Sequence, residues 1–373
     1  MRVSCLQENL AKGLSTVGRA VATRSTLPVL SNVMLATDQG RLKLSATDLE
    51  IGINCWIGAQ VEEDGAITVP ARLLIDFVNA LPAERIDMEL SVRTQELHLQ
   101  CARYEANIKG IDAQEFPLIP MADDDDYQLT LEPSLLRQMI SQVAFAAATD
   151  ESRPILTGVL VEFDGPEFTM AAADGFRLSV RHARLGNPVP EPVSVIIPAR
   201  ALAELGRISS DEELPISLSI PSSRNQALFH LSSTDLVSQL IEGRFPDYDQ
   251  IIPQRYDAQT IVSTDEFLKA CRTANIFARS EANIVRLRLG EDRMVISASS
   301  AEMGDNVSEV DAQVTGEPIE VAFNVRYLID VLSVADAAQV LLETTSQSSP
   351  GVIKPVGTED FVHVVMPMHV RGD

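Results

Sequence analysis

Side-chain catalysis needs complementary groups at short range, and the residues of this chain that could do such chemistry stand apart. The histidines are His98, His182, His230, His363 and His369. None belongs to an HExxH helix, a P-loop, a GxSxG elbow or a dinucleotide fingerprint. Cys5, Cys55, Cys101 and Cys271 are scattered without a CxxC, so no zinc knuckle or redox pair is written, and they read as buried thiols. Asp174 and Arg177 of ADGFRL could be imagined as an acid and a cation in one site. The Asp-Gly pair is more simply a turn between strands, and ATDLEIG repeats that turn around Asp48. The acidic run at 123–126 lacks the glycine and distal glutamate of a calcium loop and reads as a solvated linker. The expectation is therefore no catalytic residue, no metal and no cofactor.

What remains is the chemistry of binding. The ending FVHVVMPMHVRGD (361–373) sets a strand-like apolar run, broken by Pro367 between Met366 and Met368, where free ends usually fray. Something should cover that run or use it. The net charge of -23 favours solubility and, if evenly spread, opposes nucleic acid as a partner. Spacing shows that it is not evenly spread.

The elements that position these residues recur three times. VSCLQENLAKGLSTV (3–17) overlays LTLEPSLLRQMISQV (129–143) and IVSTDEFLKACRTAN (261–275), each a short strand entering an amphipathic helix. Gln7, Pro133 and Asp265 fall in register at the helix start. LSATDLEIGI (44–53), MAAADGFRLSV (170–180) and ISASSAEMGD (296–305) align Asp48, Asp174 and Glu302. ITVPARLLIDFVNAL (67–81), VIIPARALAELGRI (195–208) and VAFNVRYLIDVLSVA (321–335) align Pro70, Pro198 and Asn324. Each unit reads strand, helix, several strands, helix, several strands, which predicts an α+β protein with six helices and about two dozen strands. EFPLIP (115–120) and RFPDYDQIIP (244–253) close the first two copies with a Phe-Pro element that a central strand cannot hold. Boundaries near 122 and 255 follow, giving domains 1–122, 123–255 and 256–373. The ending is then the last strand of the third copy, with no connector to feed. Pro367 reads as an interruption that leaves backbone for a visiting peptide.

The windows 7–22, 71–81, 133–148, 199–208, 265–279 and 325–335 hold ten basic residues, Lys12, Arg19, Arg72, Arg137, Arg200, Arg207, Lys269, Arg272, Arg279 and Arg326. Against them stand six acids, so the helices carry a net +4 and the rest of the chain -27. For any one arginine an ordinary solvated helix face explains the charge. Segregation over six equivalent helices points to a positive wall inside a negative shell, suited to a polyanion. Aromatic residues are 5% of the chain, too few for a stacking platform, which favours duplex over single strands. Glu8 and Lys12 interrupt any signal-peptide core, and no apolar run is long enough to cross a bilayer, so a cytoplasmic location with no membrane partner is expected.

Together the triple repeat, the ATDLEIG and AADGFRL turns, the VPAR and IPAR helix starts, the GRFPDY connector and the terminal VVMPM resemble the bacterial DNA polymerase III beta subunit family, the sliding clamps. The resemblance covers the whole chain. It implies a DNA clamp: three repeated domains, each with two helices and antiparallel sheets, with two chains joining head to tail into a closed ring of six pseudo-equivalent domains. Such clamps are not enzymes. The resemblance implies that the ring encircles duplex DNA without reading sequence and tethers the replicative polymerase. Arg24 stands where the family commonly has a DNA-facing arginine; Arg72, Arg137, Arg200 and Arg207 join it from the helix argument. Tyr104, Ile276 and Phe277 match positions that pack across the subunit boundary, with internal core as the other reading. The resemblance also implies a peptide cleft of Leu156, Ala173, Gly175, Phe176, Arg177, Leu178, Pro246, Gln250, Ile251, Val364, Val365, Met366, Pro367 and Met368. Its ligands would be the DNA polymerase III alpha subunit, the clamp loader delta subunit, other polymerases and mismatch-repair proteins, each bearing a short motif similar to Gln-Leu-x-Leu-Phe. Phe176 departs from an often polar position, Gln250 and His369 stand where a basic residue is common, and RGD extends past the usual end. Two alternatives stand beside this reading: a scaffold of the same fold that binds no DNA, which the charge of -23 favours, and a second, inhibitor-tolerant clamp copy.

Overall fold

The computed structural model describes residues 1–121, 129–221, 225–280 and 282–369; the acidic run at 123–126 and the RGD ending lie outside them. The first repeat forms β1 (Arg2–Leu6), α1 (Gln7–Val17), β2 (Asn32–Asp38), β3 (Arg41–Thr47), β4 (Ile51–Gly58), β5 (Gln60–Glu63), β6 (Ala66–Pro70), α2 (Ala71–Ala80), β7 (Arg85–Ser91), β8 (Glu96–Cys101) and β9 (Tyr104–Lys109). The second forms β10 (Leu129–Leu131), α3 (Pro133–Val143), β11 (Gly158–Asp164), β12 (Glu167–Ala173), β13 (Arg177–Arg184), β14 (Val193–Pro198), α4 (Ala199–Ile208), β15 (Ile216–Ser219), β16 (Gln226–His230) and β17 (Thr234–Gln239). The third forms β18 (Ala258–Ser263), α5 (Thr264–Ala278), β19 (Ile284–Leu289), β20 (Arg293–Ser300), β21 (Gly304–Gly316), β22 (Ile319–Asn324), α6 (Val325–Leu332), β23 (Gln339–Thr344), β24 (Gly351–Pro355) and β25 (Phe361–Val365). The α+β pattern expected from the repeats is met, with six α-helices among the described residues.

By contacts the chain divides into two compact units, Met1–Leu135 with Glu204–Leu240, and Leu136–Ala203 with Ile241–Asp373. The middle repeat thus contributes chain to both. The first unit holds a five-stranded sheet, β5-β1-β7-β8-β9, and an eight-stranded sheet, β10-β15-β16-β17-β4-β3-β2-β6. The second holds one twelve-stranded order, β14-β11-β12-β13-β25-β24-β23-β18-β21-β20-β19-β22. Every strand pairing among the described residues is antiparallel, and β21 serves two neighbours: residues 304–311 pair with β20 and 312–316 with β18.

Helix burial fixes the repeat register better than residue identity. In α1 the buried positions are Gln7, Leu10, Gly13, Leu14 and Val17, the stripe of an amphipathic helix. Pro133, Leu136, Met139, Ile140 and Val143 repeat it in α3, and Thr264, Phe267, Ala270, Cys271 and Ala274 in α5. The third helix therefore starts at Thr264, not at Asp265 as the overlay placed it. Ser263 caps it, its hydroxyl accepting the Glu266 N–H at 3.5 Å. Gly13 is needed for close approach: a Cβ there would sit 2.7 Å from Leu44 Cδ1. Asn324 takes the place of Pro70 and Pro198 by a different means, its side chain accepting the Arg326 N–H at 3.0 Å.

The Phe-Pro connectors act as plugs. Phe116 is buried with Val29, Leu30 and Ile119 in the first unit, and Phe245 with Leu160, Ala173, Ile196 and Val364 in the second. Burying such a ring is worth about 2–3 kcal/mol.

Candidate functional site

Two strand junctions organise the candidate sites, one in each unit. In the first, β17 pairs with β4 from Thr234↔Cys55 to Ser238↔Ile51. Flanking bonds close it, Trp56 N–H to Ser233 O at 2.9 Å and Gln239 N–H to Glu50 O at 2.9 Å. In the second, β25 pairs with β13 from Phe361↔Arg181 to Val365↔Arg177. The same two bonds recur, His182 N–H to Asp360 O and Met366 N–H to Phe176 O, both 2.8 Å.

At the second junction the turn between β12 and β13 carries several of the residues expected to line a cleft. Asp174 Oδ1 accepts the N–H groups of Phe176 at 2.8 Å and Arg177 at 3.0 Å, and Gly175 sits at φ 92. Phe176 is left 56% exposed, with Ile251 and Met366 at 39% each. Isolated exposed apolar residues are ordinary; of these three, Phe176 and Met366 adjoin, the Met366 N–H reaching Phe176 O. Leu156 packs from outside on the cluster that holds Ala173, Leu178 and Val364. Those three and Val365 are buried, so among the residues expected to line a cleft they lie beneath the surface. Pro246 and Gln250 are exposed, and Gln250 donates to Asp247 Oδ2 at 2.7 Å. Pro367 and Met368 are half-buried.

The terminal strand differs from its expected role in one respect. β25 lies between β13 and β24, and Met366 and Met368 donate their N–H groups to Phe176 O and to Ala322 O at 2.7 Å. Pro367 has no N–H. No backbone donor in 366–368 is left for a visitor, so an extended peptide must bring the donors itself.

Arg177 is a structural brace. Its Nε donates to Asp174 Oδ2 at 3.1 Å, Nη1 to Asp330 Oδ2 at 2.6 Å and Nη2 to Phe145 O at 2.6 Å. Its guanidinium lies 4.5 Å from the Tyr327 ring centroid and 5.3 Å from that of Phe145. With the side chain only 10% exposed, it has little left to offer a ligand. Beneath it His363 is fully buried, its Nδ1 2.6 Å from Ser179 Oγ. Burial, with Arg177 nearby, lowers its pKa to about 3. Arg153 escaped the sequence reading: a Cβ on Gly175 would lie 2.7 Å from its Nη1, so its exposed guanidinium overhangs the turn. The glycine of ADGFRL signals a turn at positive φ but carries no sign of Arg153, which lies far from it in the chain.

The other titratable groups are accounted for locally. His98 meets Asn107, His182 meets Thr169 and His230 meets Asp235. All four cysteines are buried, and burial pushes the Cys5 thiol up to about 12. No cluster of metal-ligating side chains occurs among the described residues. The aligned turn acids are only two: in the third repeat Ser300 Oγ, not Glu302, receives the turn N–H groups, from Glu302 at 3.4 Å and Met303 at 3.3 Å.

Of the basic residues, Arg24, Arg72, Arg200 and Arg207 are exposed and Arg137 is half-buried. Several are neutralised. Glu204 lies between Arg207 at 2.6 Å and Arg19 at 3.4 Å, Asp211 pairs with Lys12 at 3.1 Å, and Asp76 stands 4.0 Å from Arg72. Lys269, Arg272, Arg279 and Arg326 are exposed with no ion pair among the described residues, so the third repeat carries the freest cations. Tyr104 opens the edge strand β9, Ile276 is exposed on α5, and Phe277 packs partly against the third-repeat core. No helix among the described residues is long and apolar enough to cross a membrane.

Comparison with known proteins places this architecture. Family models described as the N-terminal, central and C-terminal domains of the DNA polymerase III beta subunit match residues 1–120, 130–247 and 249–369. The beta sliding clamp of Synechococcus elongatus is 35% identical over 381 aligned positions and all of both chains. That of Staphylococcus aureus is 32% identical over 94% of each. The crystal structure of the Bacillus subtilis DNA polymerase sliding clamp superposes with a TM-score of 0.93 at 28% identity over the whole of both chains. A threefold repeat with plugged connectors, matched domain by domain and end to end, has one family to belong to: the chain is a member of the beta sliding clamps, the non-catalytic processivity subunit of DNA polymerase III, whose partners are DNA and the polymerase.

Proposed function

We propose that two copies of this chain join head to tail into a ring around duplex DNA in the cytoplasm, each contributing three clamp domains bounded near residues 122 and 255. One observation carries this reading. The same strand junction is made twice within the chain, while one edge of each kind, β9 and the 304–311 half of β21, stays unpaired among the described residues. A second copy supplies both missing partners at once, and a head-to-tail contact that closes after two subunits leaves neither of these two edges open. Exposed cations on the helices, freest in the third repeat and joined by Arg24, Arg72, Arg137, Arg200 and Arg207, serve the phosphate backbone without reading bases. Loaded onto a closed DNA circle, the protein is expected to stay bound at high salt and to leave when the circle is cut. Equal retention on linear and closed DNA rules encirclement out.

The surface of Phe176, Ile251 and Met366, with Leu156, Pro246, Pro367 and Met368, is proposed to take the Leu and Phe anchors of a short linear motif. The polymerase alpha subunit, the clamp loader delta subunit, other polymerases and mismatch-repair proteins would compete for it. Methionine adapts to varied anchors, and a charge there has no partner in the bound state. Met366→Glu is expected to weaken a Gln-Leu-x-Leu-Phe peptide by about tenfold to a hundredfold, roughly 1.4–2.8 kcal/mol. Unchanged peptide affinity in a calorimetric titration removes Met366 from the site.

A further inference from the structure

The two internal seams keep one register and differ in what fills it. Thr234↔Cys55 in the first unit and Phe361↔Arg181 in the second are the same pair of the same ladder. The buried stripes of α1 and α3 align Gly13 with Met139, which puts Thr16 in the place of Gln142. At all four places the first seam carries the smaller side chain. A cavity of about 300 Å³ lies there, lined by Gly13, Thr16, Cys55 and Thr234, with Lys12, Asp211 and Glu212 as its charged groups among the described residues. That volume is at the small end of the range for ligand pockets. Every lining residue belongs to the first unit, on α1, β4, the chain at and after the end of α4, and the β16–β17 hairpin. In the second seam Arg181 stands in the place of Cys55, its side chain 11% exposed and its Nη1 3.1 Å from Asp360 Oδ2.

The polar atoms of the lining share one chemical sense. Thr16 Oγ1 donates to Lys12 O at 3.0 Å and Ser232 Oγ to Glu212 Oε2 at 2.8 Å, so both hydroxyls have spent their protons and keep only lone pairs. Glu212 accepts two further bonds, from the N–H groups of Ser232 at 3.1 Å and Leu214 at 3.2 Å. These fix the carboxylate and still leave it acceptor capacity, because it has about four lone-pair sites. Lys12 meets Asp211 at 3.1 Å between side chains 76% and 75% exposed, a pair that holds weakly and exchanges readily. One cation against two carboxylates leaves the lining net negative. The complementary visitor is a cation with many donors and no acceptor, which describes a guanidinium. We infer that the first seam binds an arginine side chain presented by a partner protein, in the place that Arg181 fills from within at the second seam. Lysine brings only a point charge of the kind Lys12 already supplies. Free arginine carries the right group, but its own carboxylate would meet Asp211 and Glu212.

The test uses the full chain with isotope-labelled isoleucine methyl groups, since Ile57 and Ile208 line the cavity. Ile57→Val and Ile208→Val assign their signals. The probe is the blocked tripeptide acetyl-Gly-Arg-Gly-amide, titrated beside its citrulline counterpart, which keeps the shape and loses the charge, and beside free L-arginine. Saturable shifts of both signals are expected with the arginine peptide, and an affinity about tenfold or more weaker with citrulline. Asp211→Asn with Glu212→Gln removes both negative charges and is expected to weaken the arginine peptide by about tenfold or more. Thr234→Phe brings in the residue of the second seam and is expected to abolish the shifts. Where its methyl spectrum shows that this variant has not folded, the charge variant decides. Equal affinity for the citrulline peptide, undiminished binding in the charge variant, or no saturation with the arginine peptide overturns the site. Tighter binding of free L-arginine than of the blocked peptide overturns the assignment to a partner's side chain.

Discussion

At the first junction Ile51, Ile53 and Cys55 of β4 face Ser238, Leu236 and Thr234, whereas at the second Arg177, Ser179 and Arg181 of β13 face Val365, His363 and Phe361. The ladder and its flanking bonds are the same in both. What differs is the seam, largely apolar in the first unit and threaded by buried cations and an imidazole in the second. Even the helix-to-loop contact beside each seam is repeated with altered chemistry, Lys12 with Asp211 in one and Gln138 with Asp336 in the other. Register therefore comes from backbone pairing and core rows, and the side chains within it are free to diverge. The seam that diverged toward polar groups is the one beside the proposed cleft, where the Arg177 brace holds the Phe176 turn in place.

The largest effect should come from that brace. Arg177→Met leaves Asp174 and Asp330 without their shared cation and Phe145 O without its donor. Removing one side of a buried charge network costs about 3–5 kcal/mol, and the partial exposure of Asp330 argues for the lower end, about 3 kcal/mol. Guanidinium unfolding of the full chain measures it. A loss under about 1 kcal/mol would mean that the network behaves as a surface ion pair and that the two seams are energetically alike.

The next effect is in pH. His363 stays neutral in the fold down to about 3, while in the unfolded chain it takes up a proton near 6.5. The unfolded state thus binds the extra proton first, so stability is full above about pH 6.5 and falls as pH drops from there toward 3. Between pH 7 and pH 5 the loss attributable to this group is about 2 kcal/mol. The facing groups Arg177, Asp174 and Asp330 are retained in His363→Gln, so the difference between the two pH profiles isolates the imidazole. Parallel profiles would falsify the assignment, and the first unit, without such a residue in its seam, supplies no substitute.

Much of this was legible in the chain. The repeats, both Asp turns, the six helices and the plugging phenylalanines follow from spacing, because each is set by local geometry and by apolar residues that have one place to go. The misses share a cause. Asp265 was one residue late because a capping serine outranked an acid; Glu302 was aligned where Ser300 does the bonding. Lys12 entered the helix tally without Asp211, which lies outside those windows and comes beside it in the fold. The backbone beside Pro367 reads as left for a visiting peptide, while Met366 and Met368 spend their N–H groups within the chain. Each depends on which distant side chain or carbonyl arrives, and spacing along one strand carries no information about that.

The smallest effect sharpens the comparison by its sign. Leu49 and Gly175 hold the same turn position at φ 79 and φ 92, in the region that costs a non-glycine residue about 1–2 kcal/mol. The first turn tolerates leucine because Thr47 Oγ1 accepts the Leu49 N–H at 3.0 Å and donates to Ile51 O at 2.9 Å. Ala173 stands in that place in the second turn and has no hydroxyl to offer. Leu49→Gly relieves the strain and gives back part of it in backbone entropy, a net gain of about 0.5 kcal/mol. Gly175→Ala incurs the strain without the hydroxyl brace and crowds Arg153, whose flexible end can swing away, a loss of about 1–2 kcal/mol. Denaturant midpoints moving in opposite directions support one turn held by the Thr47 hydroxyl and one without that hydroxyl. If both variants lose stability, Leu49 is held by contacts its exposure does not reveal, and the brace at Thr47 is not what separates the two turns.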